Sequence, residues 1–135
     1  MPHQVLVTIR AELRPDRAEE VAKLLNALRR SVEHDGGPLA GLPGVHFARI
    51  FVLPGDPELD VPDTLTYLSE VDAPSRAHLS ALTGPGSGLL GQLLAECDGF
   101  PDGGSDRSRA RWTRRHRVRE AARYVHRVGR SVAQI

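Results

Sequence analysis

Apolar and polar residues alternate almost from the first position. Val5, Val7, Ile9 and Ala11 fall between Gln4, Thr8, Arg10 and Glu12, with Leu6 the one exception, a period of two that predicts a strand with one buried face. The period then lengthens. Ala18, Val21, Leu24, Leu25, Leu28 and Val32 recur mostly at spacings of three and four, behind an Asp16/Glu19 capping pattern and ahead of Gly36-Gly37-Pro38. This predicts an amphipathic helix with both ends marked. Two runs rich in Val, Ile, Phe, Tyr and Thr follow, 45–53 and 64–72, separated by a Pro/Gly/Asp-rich break at 54–63, the pattern of paired strands. In the second run Leu65, Tyr67 and Val71 point one way and Thr66, Glu70 and Asp72 the other, while Leu68 breaks the alternation. The first run is apolar on both faces, Phe47 and Phe51 on one and Ile50 and Val52 on the opposite, so it needs cover on both.

Further along, Asp72-Ala73-Pro74 opens a short helix with Leu79 and Leu82 as its inward positions. Residues 84–88 break it, and Leu89, Leu90, Leu93 and Leu94 resume a second short one. Residues 97–104 are turn chemistry almost throughout. Asp106 to Arg119 reads as an inserted Arg-rich helix, and 121–128 as the fourth strand that completes a β-α-β-β-α-β unit with helices on one face of an antiparallel sheet. The expected organisation is an α+β domain over 1–104, followed by 105–135 carrying the Arg-rich helix, the fourth strand and the start of another helix. Ser131 and Gln134 form a capping box with only Ile135 beyond it, so the chain is expected to be the front of something longer.

Length and charge sharpen this outline. At 135 residues the chain fits one domain with a sizeable core. Residues 1–100 hold 8 Lys/Arg against 14 Asp/Glu, a net of −6, whereas 101–135 hold 10 against 3, a net of +7. The basic tail can attract the acidic body or a separate anion. Cys97 is the lone cysteine, which excludes an internal disulfide and suits a reducing compartment. No basic segment followed by an apolar run opens the chain, and no stretch approaches the ~18 apolar residues of a membrane span. The expectation is a cytoplasmic protein without membrane contact.

The order of elements over residues 3–100 resembles the ferredoxin-like fold of the dimeric α+β barrel superfamily. That resemblance implies two four-stranded sheets packed face to face between protomers, hence a homodimer, with the second strand at a sheet edge. More locally, Val45-His46-Phe47-Ala48-Arg49 and Cys97-Asp98-Gly99-Phe100-Pro101 are similar to the front part of larger bacterial proteins, mostly uncharacterised and some labelled peroxidase-like. The resemblance carries over no catalytic residue. It brings an oxidoreductase and a haem cofactor into view, with His46, His78 and His126 as candidate ligands, against the plainer reading of surface or hydrogen-bonded histidines.

Other motifs carry little chemistry. Gly86-Ser87-Gly88-Leu89-Leu90-Gly91 matches the dinucleotide fingerprint, but Ala81-Leu82-Thr83 before it reads as helix and not strand, so a flexible helix break is the better reading. The six histidines contain no His-x-x-x-His pair and no HExxH, so no metal site is expected. Cys97 beside Asp98 has the wrong surroundings for a nucleophile.

The sheet face turned away from the helices is the better candidate. It would carry Leu6, Thr8, Arg10, Thr66, Leu68 and Glu70, plus either Phe47, Arg49 and Phe51 or His46, Ala48, Ile50 and Val52 from the edge strand. Arg10 or Arg49 suits an anionic small-molecule ligand, Glu70 an acid or base if buried, and the catalytic candidates are Arg49, Glu70 and His46. The plainer reading is an Arg/Glu ion pair in a dimer interface, and it ranks ahead. Arg107, Arg111, Arg115 and Arg119 recur every fourth residue, and a solvated face or docking onto the acidic body ranks ahead of nucleic acid for them. Two functions stay open: a dimeric domain belonging to a haem-associated oxidoreductase or binding a small ligand, and a non-catalytic assembly module whose Arg-rich helix meets an acidic partner or nucleic acid.

Overall fold

The computed structural model of the chain describes residues 3–42 and 44–119. Four antiparallel strands form one open sheet: β1 (Gln4–Glu12), β2 (Val45–Leu53), β3 (Thr64–Asp72) and β4 (Arg117–Val118), in the spatial order β2-β3-β1-β4. The fold is α+β. β3 lies between β1 and β2, paired from Gln4↔Asp72 to Glu12↔Thr64 on one side and from Phe47↔Glu70 to Leu53↔Thr64 on the other. β1 and β2 therefore run parallel to each other. The chain crosses between them through α1 (Ala18–Asp35), which ends on Gly36 at φ 83°, where the Gly36 N–H donates to the Val32 carbonyl at 3.0 Å.

Periodicity decides the packing. Val7, Ile9 and Ala11 of β1 and Leu65, Tyr67 and Val71 of β3 point to the same side. They share one core cluster with Val21 and Leu28 of α1, with Leu79 of α2 (Arg76–Ala81), with Leu82, and with Leu90, Leu93 and Leu94 of α3 (Leu89–Leu94). A fourth helix, α4 (Asp106–Arg115), enters that cluster through Trp112 and packs beside α2. Ser105 caps it, its hydroxyl accepting from the Ser108 N–H at 3.2 Å.

The 54–63 connection turns so tightly that a side chain on Gly55 would run into the Val61 carbonyl, so only glycine fits there. Residues 96–98 are stitched to the end of β1 by the Arg14 N–H on Glu96 O at 3.0 Å and the Asp98 N–H on Glu12 O at 2.8 Å. Beside them the Arg17 guanidinium donates to the Glu96 carboxylate at 2.9 Å, which ties the start of α1 to the same segment.

Three expectations change. Asp16 sits at φ 63° and α1 starts on Arg17 with no side-chain cap, so the Asp16/Glu19 box does not form. The inserted helix stops at Arg115, because the chain turns at His116 to place Arg117 and Val118 against Ile9 and Thr8. The fourth strand of the described sheet is therefore this pair, and Arg119 lies beyond the helix. Residues 121–128, with His126, and the 131–134 capping box lie outside the described residues. No helix among the described residues is long and apolar enough to cross a membrane.

Candidate functional site

The open face of the sheet is assembled by register. Reading across β1, β3 and β2, its rows are Leu6, Glu70 and Phe47, then Thr8, Leu68 and Arg49, then Arg10, Thr66 and Phe51, then Glu12, Thr64 and Leu53, with Val118 of β4 beside Thr8. A bulge settles which side of β2 faces outward. Val45 pairs with Val71 on the helix side, but Phe47 pairs with Glu70, so His46 is the extra residue and the odd positions beyond it change face. Phe47, Arg49 and Phe51 thus line the open face, while Ala48, Ile50 and Val52 turn toward the helices and pack against the core.

The face combines uncovered apolar surface with unpaired charge. Phe47 is 49% exposed, Val118 43%, Leu53 40% and Leu6 37%. Arg10, Arg49, Glu12 and Glu70 supply two charges of each sign, and none of these side chains forms a hydrogen bond or ion pair with a described residue. Thr66, between Arg10 and Phe51 in register, is buried with its hydroxyl unpartnered. Of the catalytic candidates, Arg49 and Glu70 share this face in adjacent rows. His46 stands apart at the bulge, exposed, with Nε2 2.7 Å from Asp72 Oδ1.

Of the cofactor candidates, the two among the described residues, His46 and His78, do not converge. His78 is buried between α2 and the sheet, where Nε2 meets the Tyr67 hydroxyl at 2.8 Å and Ser69 Oγ at 3.3 Å, and Nδ1 has no partner. Burial pushes its pKa below the usual histidine value. Neither of its ring nitrogens is open to a ligand, and His46 is held by a carboxylate on the surface, so these two residues do not fit an axial haem ligand. Among the described residues no three His, Cys, Asp or Glu side chains group as a metal site. The Gly86 to Gly91 stretch follows α2 and a turn, with no strand before it, which removes the dinucleotide reading.

Sequence reasoning missed two features. One is the Tyr67, Ser69 and His78 cluster, signalled only by Ser69 being in phase with Tyr67 and by His78 preceding an inward Leu79. The other is a hollow of about 660 Å³ along β2, lined by Leu25, Leu28 and Val32 of α1, Leu39, and Ile50 and Val52 of β2, with Tyr67 and Leu90 also in its wall. It lies between α1 and the apolar helix side of the edge strand, which the two elements leave partly unfilled.

Cys97 is fully buried, and that burial pushes its thiol up to about 12, with Arg14 opposing and Glu96 adding a little. The sequence points to Asp98 as the cause, but the cause is desolvation by burial, with Glu96 the acidic neighbour that adds to it. At pH 8 the thiolate fraction is then about a thousandfold below that of a thiol at its ordinary value. A disulfide reagent is expected to label the native chain at least that much more slowly than the chain in urea, read by absorbance at equal pH.

Comparison with protein-family models, with curated proteins and with solved structures finds no match.

Proposed function

We propose that this chain is a self-associating ferredoxin-like domain of the dimeric α+β barrel kind, in which a second copy covers the open sheet face. The observation that carries the reading is the composition of that face: exposed Phe47, Leu6, Leu53 and Val118 around two arginines and two carboxylates that pair with no described residue. Large apolar side chains left exposed on a sheet face and its edge strand are an aggregation hazard unless covered. The balance of signs makes the face complementary to itself, as a two-fold interface requires. The strand order, the antiparallel pairing and the one-sided helices support the ferredoxin-like assignment. Between two such faces, Arg10, Arg49 and Glu70 of each copy would line an enclosed space suited to a small anionic ligand.

Sedimentation at micromolar concentration is the test. A dimer is expected, and Phe51→Lys and Arg49→Glu should each raise the dissociation constant about tenfold or more, equivalent to about 1.4 kcal/mol. Arg49→Glu combined with Glu70→Arg should recover part of the loss. A stable monomer, or a dimer indifferent to all of these changes, would sink the reading.

The hollow along β2 favours a second reading, a site for an apolar small molecule with an anionic head, because Arg29 of α1 accompanies its apolar wall. Anilinonaphthalene sulfonate has that chemistry, and native protein is expected to enhance its fluorescence. Equal enhancement by a folded Val52→Asp variant would remove this site.

A further inference from the structure

The arginines after residue 105 divide into two groups. Arg109 lies 6.0 Å from the Phe100 ring centre and donates to the Pro101 and Asp102 carbonyls, the latter at 2.7 Å. Arg117 donates to Ser75 Oγ at 2.9 Å and to the Leu6 carbonyl at 3.2 Å. These two hold the fold together. Arg107, Arg111, Arg114, Arg115 and Arg119 are exposed, and none forms a hydrogen bond or ion pair with a described residue. The sequence ranks a solvated face, or docking onto the acidic body, above nucleic acid. In the structure none of the five exposed arginines docks on a described residue, while Glu96 of the body and nearby Asp102 pair with Arg17 and Arg14, so the face is solvated and open to an external anion.

We infer that this outer face of α4, together with Arg119, binds the phosphodiester backbone of double-stranded nucleic acid without reading its sequence. Arg107, Arg111 and Arg115 succeed one another at about 6 Å along the helix axis, a spacing at which like charges repel unless an external anion meets them. At the far end Arg114, Arg117 and Arg119 surround a hollow of about 550 Å³ whose remaining wall is Val5, Leu6, Leu79 and Val118. The guanidinium fork matches phosphate oxygens two at a time, and every cation here is arginine; Lys23 on α1 is the only lysine in the chain.

The same face argues against the alternatives. A single strand calls for exposed aromatic platforms, whereas Trp112, the only tryptophan, is 5% exposed against Phe100 and His116. A membrane surface calls for an apolar stripe to insert, and the exposed positions of the helix interior are all arginine. Arginine also pairs with guanine edges, so the lack of Asn and Gln in Asp106–Arg115 removes only the bidentate contact to adenine. Backbone contact is what every duplex offers a face of arginines, and a second duplex of unrelated sequence separates it from guanine reading.

Fluorescence anisotropy with a labelled mixed-sequence DNA duplex of about 20 base pairs, titrated from about 50 mM salt upward, is the test. Four or five phosphate contacts predict a slope of about −4 in log affinity against log salt. Arg107→Ala, Arg111→Ala and Arg115→Ala together should flatten that slope by about 3 units, with the circular-dichroism melt unchanged. The same triple change to Gln repeats the measurement should the Ala variant melt differently. A second duplex of unrelated sequence should bind equally. No binding at low salt, a slope untouched by a folded triple variant, preference for a single strand, or tighter binding of an acidic peptide would each overturn the inference. A dimer through the sheet face is not required for it, so sedimentation and anisotropy fail independently.

Discussion

Trp112→Ala is expected to cost about 3–5 kcal/mol of stability, the range for removing a large buried aromatic. Trp112 is where α4 joins the body. Its ring meets Phe100 edge-on at 5.1 Å, lies 4.2 Å from the His116 ring, and its indole N–H donates to the Asp98 carbonyl at 3.3 Å. Those contacts fix the turn at 97–101, the end of α4 and, one residue later, the start of β4. Removing the ring leaves a cavity in the core cluster and an acceptor at Asp98 without its donor. The loss should therefore spread from α4 to the β1 and β4 pairing, and hydrogen exchange should rise at Arg10, whose N–H donates to the His116 carbonyl. Urea melts followed by circular dichroism check the magnitude. A loss below about 1 kcal/mol would mean that α4 is an appendage and not part of the core.

Strands were the legible part of the chain. β2 and β3 coincide with the runs read from Val, Ile, Phe, Tyr and Thr, and β1 with the alternation around Val7 and Ile9, because a sheet buried on one face imposes a period of two that composition alone reveals. Which side of β2 faces outward was not legible, since that depends on the one-residue bulge at His46, and a bulge leaves no periodic trace in a strand that is apolar on both sides. The end of α4 was hidden for a related reason. Arg117 and Arg119 continue the spacing of the arginines before them, and only the tertiary pairing of Val118 with Thr8 reveals that the helix has ended. At the open face, Arg10, Arg49 and Glu70 could be grouped from alternation; that they lack partners could not, because partners are a matter of distance and not of sequence. For His78 the plainer reading, a surface or hydrogen-bonded histidine, holds in its second form, bonded to Tyr67 and Ser69; that it is buried was not legible, because a polar residue packed inward on a short helix has no periodic signature that separates it from an exposed one.

Stability is expected to be greatest between about pH 6.5 and 9 and to fall on both sides, driven by three buried groups. On the acid side the group is His78. Its folded pKa lies below the ordinary 6.5 because burial penalises the charged ring, and the partners around it, the Tyr67 hydroxyl and Ser69 Oγ, carry no negative charge to offset that penalty. Below pH 6.5 the unfolded chain binds a proton that the folded chain refuses, so this contribution is complete above 6.5 and is lost as pH falls toward the folded value, by at most about 1.4 kcal/mol per pH unit. On the alkaline side the sign reverses. Burial raises Tyr67 from 10.0 to about 12, with the Ser69 hydrogen bond opposing, and Cys97 from 9.0 to about 12. Between each ordinary value and the raised one the folded chain keeps a proton that the unfolded chain has released, so stability drops from pH 9 upward, and more steeply above 10 when both groups contribute. Urea midpoints from pH 5 to 11 would trace the curve. His78→Gln, which keeps a hydrogen-bonding group toward Tyr67, should flatten the acid side alone, and Cys97→Ala should delay the alkaline fall until Tyr67 titrates. An acid side unchanged in His78→Gln would show that the ring is hydrated in the native protein, and the buried cluster with Tyr67 would have to be abandoned.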